Sequence, residues 1–492
     1  MRETMRYETL AASAEEQLAI EGEAALPGSM RDAVTVLSVQ TQANIEDVQA
    51  GMGEALLRGR ARFQVLYTQG DLTRVRSLET TCDFERAIRL DGALPGMRME
   101  VRAAVQEADG SAASGRICLR ALLLIAVDAF EIGEKTLIAR AGEDADLRVQ
   151  SQQAAWCLRE RFGEETTLVR EEKELPARLG AGEALSATAT AGAAEIVGGS
   201  GRIGVTGTVT VRVLHLPQEA GEAMVTTTHE LPYEVSIAGQ LPGGALVTAD
   251  AEVTDVLADC TAGDKRRLLR LEVQLRVRVT LTKKMEGTFL RDLYTLSGEA
   301  LEPVTETIAL CTAQEEAAAQ ESTRLQVTLP REVPPMDKIL CAFVQPVLTG
   351  VTPAGRRLDA EGLMGVTLIY LPQDSNIPYS VHVREPFAMT FPLEMGEGVT
   401  AQVYAVESSA EAVTSDRAQV RCILELRAMH RSVKPLIGVA EVRTQPQTEQ
   451  THGFILVWPD EGETRWETAR RLRVPEEALK PAGKRALLAF RR

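Results

Sequence analysis

The sequence has few aromatic side chains and no long hydrophobic run. Phe, Trp and Tyr together make up 4% of its 492 residues, so any core must consist mainly of Val, Leu, Ile and Ala. The longest strongly apolar stretch, residues 121–127, is much shorter than the roughly 20 residues of a membrane-spanning helix. The first eight residues are charged and lack the apolar region of a secretory signal. We therefore expect a cytoplasmic protein with no membrane insertion.

Positive charge is also scarce. Lys and Arg number 54 against 70 Asp and Glu, which gives a net charge of −16. Proteins that bind nucleic acid usually carry a basic patch, and basic residues cluster here only near the C-terminus. We therefore do not expect nucleic acid as a partner. The ordinary effect of such a negative charge is to keep the protein soluble.

Motifs for metal, cofactor or covalent chemistry are missing as well. The seven cysteines are odd in number and contain no C-x-x-C pair, which favours a reducing compartment over a disulfide scaffold. None of the five histidines has zinc-site spacing. Residues 199–204 fit G-x-G-x-x-G, but the strand expected after them indicates a glycine-rich turn and not a dinucleotide site. We expect no cofactor, no metal and no catalytic residue. An enzyme with an unrecognised site in the repeats stays open as an alternative.

The sequence does contain a motif that occurs three times, at residues 59–67, 207–215 and 362–370. Each copy starts with glycine and ends eight residues later on a ring, at Tyr67, His215 and Tyr370. The glycine follows a Leu-Pro pair by 32 or 33 residues, and an aromatic residue follows the ring by 17 or 18. A third segment of alternating apolar residues ends each copy. These landmarks are Leu26-Pro27, Leu175-Pro176 and Leu329-Pro330; Phe84, Tyr233 and Phe387; and 117–127, 269–279 and 420–429. Landmarks repeated at one spacing indicate a whole domain copied three times.

Alternation of apolar and polar residues at period two predicts strands, and many short strands separated by Gly/Pro turns favour a sandwich or a barrel. We therefore predict a mainly β protein with three β-sandwich or barrel-like domains, at residues 1–145, 146–298 and 299–440. The three domains are expected to form an extended rod. An acidic, alanine-rich tract at 314–321 is predicted to be a short helix.

A polar linker at 441–451 is predicted to lead to a small module at 452–492. Residues 454–457 suit a strand, and Thr464 suits the N-cap of a helix over 465–472. Pro475, followed by two acidic residues, predicts a second helix, and residues 486–490 predict a closing strand. The predicted order of the module is therefore βααβ.

With these repeats and this terminal βααβ module, the chain resembles the spore-coat morphogenetic proteins of endospore-forming Clostridia. In that family three SPOCS domains precede a C-terminal LysM module. The resemblance implies a non-enzymatic scaffold in the cytoplasm of the mother cell, at the forespore surface. It also implies a partner, the ATP-driven, polymer-forming protein of the coat's basement layer, which the LysM module would contact.

The resemblance to LysM has two departures. The usual start Gly-Asp-Thr-Leu-Trp-x-Ile-Ala reads Gly-Glu-Thr-Arg-Trp-Glu-Thr-Ala at 462–469, so Arg465 and Thr468 replace two apolar residues. The usual Asn-Pro-containing loop is shortened to residues 480–484. A LysM glycan groove lies between that loop and the first turn, so shortening one wall should weaken sugar binding. These departures from the family pattern therefore favour a protein ligand, and peptidoglycan stays open as the alternative.

The candidate docking residues lie around this groove. Trp458 precedes Pro459 in a turn and is the better candidate for an exposed contact, because tryptophan is enriched at interface hot spots. Trp466 suits the core of the module. The basic residues of the tail form either a solvated helix face or a surface that attracts an acidic partner: Arg470, Arg471, Arg473, Lys480, Lys484, Arg485, Arg491 and Arg492. The predicted partner- or glycan-binding residues are Trp458, Asp460, Gly462, Glu463, Thr464, Trp466, Lys480, Pro481 and Ala482.

Overall fold

The computed structural model shows a mainly β protein, which confirms this part of the predicted fold class. It describes residues 1–26, 34–70, 74–113, 115–199, 201–219, 221–240, 243–262, 267–445, 453–482 and 486–491. The described strands of residues 2–445 fall into three groups, which we call units 1, 2 and 3. Each group forms two antiparallel sheets.

Unit 1 contains the sheets β1-β6-β5 and β2-β3-β4. Its strands are β1 (Arg2–Ala25), β2 (Val34–Ala50), β3 (Glu54–Gln69), β4 (Arg76–Arg89), β5 (Arg98–Ala113) and β6 (Arg116–Ile138). Beyond these hydrogen-bonded pairs, β2 lies beside β5 and β4 lies beside β1. The two sheets therefore enclose a core between them, as in a flattened barrel.

Units 2 and 3 repeat this arrangement with the sheets β12-β13-β7 and β11-β10-β8, and β14-β19-β18 and β15-β16-β17. An additional short strand, β9, pairs with β10 in unit 2. The strands of unit 2 are β7 (Leu147–Leu175), β8 (Ala181–Ala191), β9 (Glu195–Gly199), β10 (Arg202–Pro217), β11 (Val225–Ala238), β12 (Ala245–Ala262) and β13 (Arg267–Thr295). Those of unit 3 are β14 (Ala300–Thr328), β15 (Met336–Pro353), β16 (Leu358–Pro372), β17 (Tyr379–Phe391), β18 (Thr400–Thr414) and β19 (Arg417–Gln445).

Each unit has its own hydrophobic core, built by residues of period two. In β13, Leu271, Val273 and Leu275 are buried, while the residues between them are less buried. Successive side chains of a strand point to opposite faces, so this alternation puts one face of the sheet into the core.

Steric crowding explains why a glycine opens each sequence motif. It lies directly across the strand pair from the aromatic residue that follows in the sequence: Gly59 and Phe84, Gly207 and Tyr233, and Gly362 and Phe387. A Cβ atom on Gly207 would stand 2.5 Å from the Tyr233 hydroxyl oxygen, and one on Gly59 would stand 2.5 Å from Cζ of Phe84. The ring therefore occupies the space of a side chain, and a residue larger than glycine would displace it.

The ring that ends each motif is buried in all three units. Tyr67 is 2% exposed, and His215 and Tyr370 are 0% exposed. The Tyr370 hydroxyl donates a hydrogen bond to the Pro334 carbonyl oxygen at 2.8 Å, and the burial of this ring raises the pKa of Tyr370 to about 12. His215 therefore occupies the same buried packing position as the two tyrosines.

His215 differs from the two tyrosines because its ring can be protonated near neutral pH. Its Nδ1 lies 3.3 Å from the Gly182 carbonyl oxygen and its Nε2 lies 2.9 Å from Oγ1 of Thr227. Nε2 of His229 lies 2.8 Å from the same hydroxyl oxygen. The chain of contacts is satisfied when both rings are neutral: Nδ1–H donates to Gly182, the Thr227 hydroxyl donates to His215, and Nε2–H of His229 donates to Thr227.

We predict that acid destabilises the protein through these histidines. Burial lowers the pKa of both rings from the ordinary value of 6.5; Arg267 also lowers the pKa of His215, while Lys173 lowers and Glu171 raises that of His229. The unfolded chain therefore binds more protons below pH 6.5, and stability falls as the pH falls, by at most about 1.4 kcal/mol per pH unit for each ring. Urea unfolding at pH 7.5 and 5.5 measures this. A His215→Phe chain should lose less stability than the wild type over that interval, and an equal loss would contradict the assignment.

The three units meet around one apolar cluster to which each contributes a leucine at the same structural position. Leu37, Leu185 and Leu340 are each the unpaired residue of a β-bulge opposite the end of the sequence motif. They pack together with the residues that precede the three rings, Leu66, Leu214 and Ile369. We call these six residues the junction cluster.

A second contact between the units lies along extensions of their longest strands. Beyond Phe130, β6 pairs only with β1, and the ends of β13 and β19 likewise pair only with β7 and β14. These three two-stranded ribbons pack on one another through two apolar clusters. We call the three ribbons together the stem. The buried residues of these clusters are Met5, Leu137, Trp156, Phe289, Ile308, Leu310 and Leu436, and Leu290, Leu293 and Val439.

Between the cores and the stem, Glu100 of unit 1 joins all three units. It forms ion pairs with Arg98 of unit 1 at 2.6 Å, with Arg159 of unit 2 at 2.8 Å, and with Arg431 of unit 3. The guanidinium groups of Arg98 and Arg431 also lie over the Phe130 ring, at 4.4 and 4.3 Å from its centroid. Burial alone would raise the pKa of the Glu100 carboxyl, but Arg159, Arg431 and Arg98 together lower it to about 2.

These contacts correct three expectations from the sequence. The extended rod is wrong, because the junction cluster and the stem each contain residues of all three units. The short helix at 314–321 is also wrong: this tract is the middle of β14, where pairing with β19 and inward packing of Ala317 and Ala319 outweigh alanine's helix propensity. Residues 441–445 belong to β19 and not to a linker. The rest of the predicted linker, 446–451, lies outside the described residues.

Candidate functional site at the C-terminal module

The C-terminal module has a three-stranded antiparallel sheet in the order β20-β22-β21. Its elements are β20 (Gly453–Val457), α1 (Arg465–Leu472), a 3-10 turn (Glu476–Ala478), β21 (Lys480–Pro481) and β22 (Leu487–Arg491). The first strand, the helix and the last strand lie where the sequence predicts them. The second predicted helix is only the 3-10 turn, because the chain becomes extended at Leu479, whose side chain is buried in the module.

Helix α1 begins with the predicted N-cap. Oγ1 of Thr464 accepts a hydrogen bond from the backbone N–H of Glu467 at 3.2 Å, and the Glu467 carboxylate accepts one from the backbone N–H of Thr464 at 2.7 Å. This reciprocal capping box satisfies two backbone donors that the helix leaves free. Thr464 is therefore a structural residue of the module, although its side chain is exposed.

Both substitutions in the LysM start motif, Arg465 and Thr468, are accommodated locally. The Arg465 guanidinium donates to the Glu476 carbonyl oxygen at 3.2 and 3.1 Å and also to that of Leu479. It thereby connects the start of α1 to the segment just before β21. Thr468 is completely buried, and its hydroxyl donates to the Thr464 carbonyl oxygen at 3.1 Å, so its polar atom is satisfied.

The small core of the module includes residues of unit 2. Ala469, Val474, Leu479 and Ala489 are buried together with Tyr294 at the end of β13, and Trp466 packs against them. The Trp466 and Tyr294 rings meet edge to face, with centroids 5.0 Å apart. Trp466, one of the two tryptophans predicted as binding residues, therefore lies in an intramolecular contact.

Polar contacts fix the same interface. Nε1 of Trp466 donates to Oδ2 of Asp292 at 2.7 Å, and Arg470 forms an ion pair with that oxygen at 3.1 Å. The Tyr294 hydroxyl donates to the Val474 carbonyl oxygen at 2.8 Å. Burial in this contact raises the pKa of Tyr294 to about 12. We call Asp292 and Tyr294 the seat of the module.

The predicted basic surface is partly used inside the chain. Arg473 donates to the carbonyl oxygens of Thr295, Ser297 and Gly298, at 2.9 to 3.0 Å. Arg471 makes two hydrogen bonds of 2.9 Å to Glu463, whose pKa is lowered by this contact. These arginines, like Arg470, stabilise the module and its contact with unit 2. Lys484, Arg485 and Arg492 lie outside the described residues.

The other predicted site residues lie on the module's surface. Asp460 and Gly462 are exposed in the turn before α1, where Gly462 has a positive φ of 84°, a conformation that favours glycine. Lys480, Pro481 and Ala482 are exposed at β21 and just after it. Arg465 extends from the start of α1 toward the segment before β21. A cationic side chain therefore lies between the first turn and that segment.

The structure adds two exposed residues that the sequence prediction missed. Phe454 is 78% exposed and Leu456 is 49% exposed, and Trp458, directly after β20, is 62% exposed. These three residues, which we call the β20 row, alternate with Ile455 and with the buried Val457. β20 is an edge strand of its sheet. The spacing of the row was readable in the sequence, but both faces of β20 are apolar, so alternation alone did not show which face is covered.

A comparison with protein families assigns part of unit 1. Residues 32–112 match the family model of the SipL SPOCS domain. Unit 1 therefore contains a SPOCS domain of the SipL-like family. The match covers β2 to β5 and therefore includes Gly59, Tyr67 and Phe84 of the first motif. This domain relates the protein to sporulation and the spore coat.

No curated protein and no solved structure matches the chain. None of the described helices has the length and apolar character needed to span a membrane. Within the described parts of the chain, no group of three or more His, Cys, Asp or Glu residues is arranged to hold a metal ion.

Proposed function

We propose that this SPOCS protein is a non-enzymatic structural adaptor in assembly of the spore coat. It acts in the cytoplasm of the mother cell, at the forespore surface. Its C-terminal module, which we take to be LysM-like, docks onto the ATPase-type protein of the coat's basement layer. The three units hold the module at the end of the stem.

The repeated topology supports three SPOCS domains. Units 2 and 3 have the same two sheets, the same glycine–aromatic pair and the same bulged leucine as unit 1, where the family match lies. We therefore propose SPOCS domains at 1–145, 146–298 and 299–445, the last one lengthened to include all of β19. The order strand, helix, turn, strand of residues 453–491 supports the LysM-like assignment.

The β20 row is the observation that carries the docking proposal. Two large aromatic side chains and a leucine are exposed at alternate positions along one short edge strand and directly after it. A row of this kind is rare on a surface that contacts only water, and Trp and other aromatic residues dominate the energetics of protein interfaces. The helix side of the module is covered by unit 2, and among the module's described residues this row is a large apolar surface open to a partner.

A truncation tests the proposal. We expect a chain that ends at Gln445 to remain folded, because the cores of the units, the junction cluster and the stem lie within residues 1–445. It should capture at least tenfold less basement-layer ATPase than the full chain in pull-downs from sporulating cells, blotted for that protein. A circular dichroism melt of both chains checks the fold. Undiminished capture by the truncated chain would place the contact in the units.

Peptidoglycan binding is the second candidate, favoured only by the LysM-like order of elements. Two features argue against it: Arg465 places a cationic side chain between the first turn and the segment before β21, and the shortened loop at 480–484 leaves one wall of the LysM glycan groove incomplete. In the same experiment, the full chain should not be retained on purified cell wall. Strong retention that soluble glycan fragments block would favour this candidate instead.

A further inference from the structure

The contact between the module and unit 2 is more extensive than a flexible tether requires. Asp292 is 8% exposed and accepts from both the Trp466 indole and the Arg470 guanidinium. Tyr294 is 3% exposed and shares the module's core. A buried carboxylate that accepts from two donors fixes the orientation of the module as well as its distance from unit 2. The reason is that each donor must point at the carboxylate oxygen atom.

The same contact determines which face of the module remains accessible. α1 and the buried core residues face β13, whereas the β20 row is exposed. Arg473 adds a further attachment to the backbone of residues 295–298, which directly follows the seat. The orientation of the row relative to the stem therefore depends on contacts with unit 2 and not only on the connection to β19.

We propose that Asp292 and Tyr294 of unit 2 are positioning residues for the docking surface. They hold the module at the end of the stem so that the β20 row points away from the units, and partner affinity depends on them although they do not touch the partner. This inference rests on the proposed docking function. It predicts that the orientation of the docking surface depends on unit 2 as well as on the module, so a substitution at the seat weakens docking without removing a contact with the partner.

The experiment uses the full chain with Asp292→Ala, Asp292→Asn and, as a matched control, Asp259→Asn, which changes an exposed carboxylate of β12. Hydrogen exchange of peptides covering 465–479 shows whether the module stays packed on the seat. Biolayer interferometry with the purified basement-layer ATPase measures the affinity for the partner. We expect Asp292→Ala to speed exchange in 465–479 at least tenfold and to weaken binding about tenfold. Peptides from the junction cluster should keep their wild-type exchange in every variant.

The amide variant separates positioning from folding of the module. Asparagine keeps an oxygen acceptor for the Trp466 indole but loses the ion pair with Arg470, so Asp292→Asn should fall between the alanine variant and the wild type in both measurements. Unchanged affinity in Asp292→Ala, or increased affinity, would overturn the inference; an increase would mean that unit 2 inhibits docking. Failure of the wild-type chain to bind the ATPase would overturn the proposed function and this inference with it. The exchange data would still show whether Asp292 holds the module against unit 2.

Discussion

A chain in which Phe454 and Trp458 are both serine is expected to bind its coat partner roughly several hundredfold more weakly than the wild type. The two side chains are 78% and 62% exposed, so their removal takes away contact area without opening a cavity in the module. Interface hot spots contribute about 2 kcal/mol or more each, and about 1.4 kcal/mol corresponds to a tenfold change in affinity. Biolayer interferometry with the purified basement-layer ATPase measures the change.

A matched variant tests whether exposure alone explains such a loss. Leu246 and Leu257 of β12 are 55% and 50% exposed, and replacing both by serine should leave affinity within about twofold of the wild type. Both double variants should also melt like the wild type. If the Phe454 and Trp458 variant binds as tightly as the Leu246 and Leu257 variant, the β20 row is not the docking surface.

Replacing Glu100 by glutamine is expected to destabilise the protein by about 2 kcal/mol at pH 7, because its side chain is 22% exposed and the loss should fall between that of a surface pair and that of a fully buried pair. The substitution keeps the size of the side chain but leaves Arg98, Arg159 and Arg431 close together without their shared carboxylate. Because these arginines come from three units, the loss should loosen the contacts between units. Urea unfolding, with hydrogen exchange of the stem strands, measures both effects.

The pH dependence of this effect follows from the lowered pKa. The Glu100 carboxyl titrates near 2 in the folded protein and near 4.5 in the unfolded chain. Its contribution is therefore fully present above pH 4.5 and is lost as the pH falls toward 2. The difference in stability between wild type and Glu100→Gln should shrink as the pH falls from 5 toward 2, and a constant difference would contradict the assigned role.

An exposed ion pair supplies the control for Glu100. Glu411 lies 3.4 Å from Arg421, and both side chains are more than half exposed. Glu411→Gln should change stability by less than about 1 kcal/mol, because surface pairs are screened by water and salt. A similar loss in both variants would mean that general surface charge, and not the three-unit contact, is responsible.

Much of the fold follows from the pattern of residues along the chain. The threefold recurrence of Gly-(x)7-ring, with an aromatic residue 17 or 18 positions later, reflects one cross-strand pair in which the ring covers the glycine. The capping box at Thr464 and the extent of α1 also follow from local sequence. These features depend on neighbouring residues or on one strand pair, so short-range pattern is sufficient to predict them.

The length of the central strands was not predictable in the same way. The closing segments predicted at 117–127, 269–279 and 420–429 are parts of β6, β13 and β19, which continue into the stem. In the stem each ribbon has only two strands and is buried mainly by the other ribbons. The alternation weakens there because the packing surface comes from a different unit, which the local sequence does not specify.

The sequence by itself determined that the chain is mainly β, that its unit occurs three times, and that a small helix-containing module ends it. Only the tertiary structure decided how these parts sit together. Leu37, Leu185 and Leu340 meet because a bulge breaks the period of two in each strand and turns these residues away from their own cores. Likewise, both faces of β20 are apolar, and the packing of Trp466 and α1 against Tyr294 decides that the β20 row is the face left exposed.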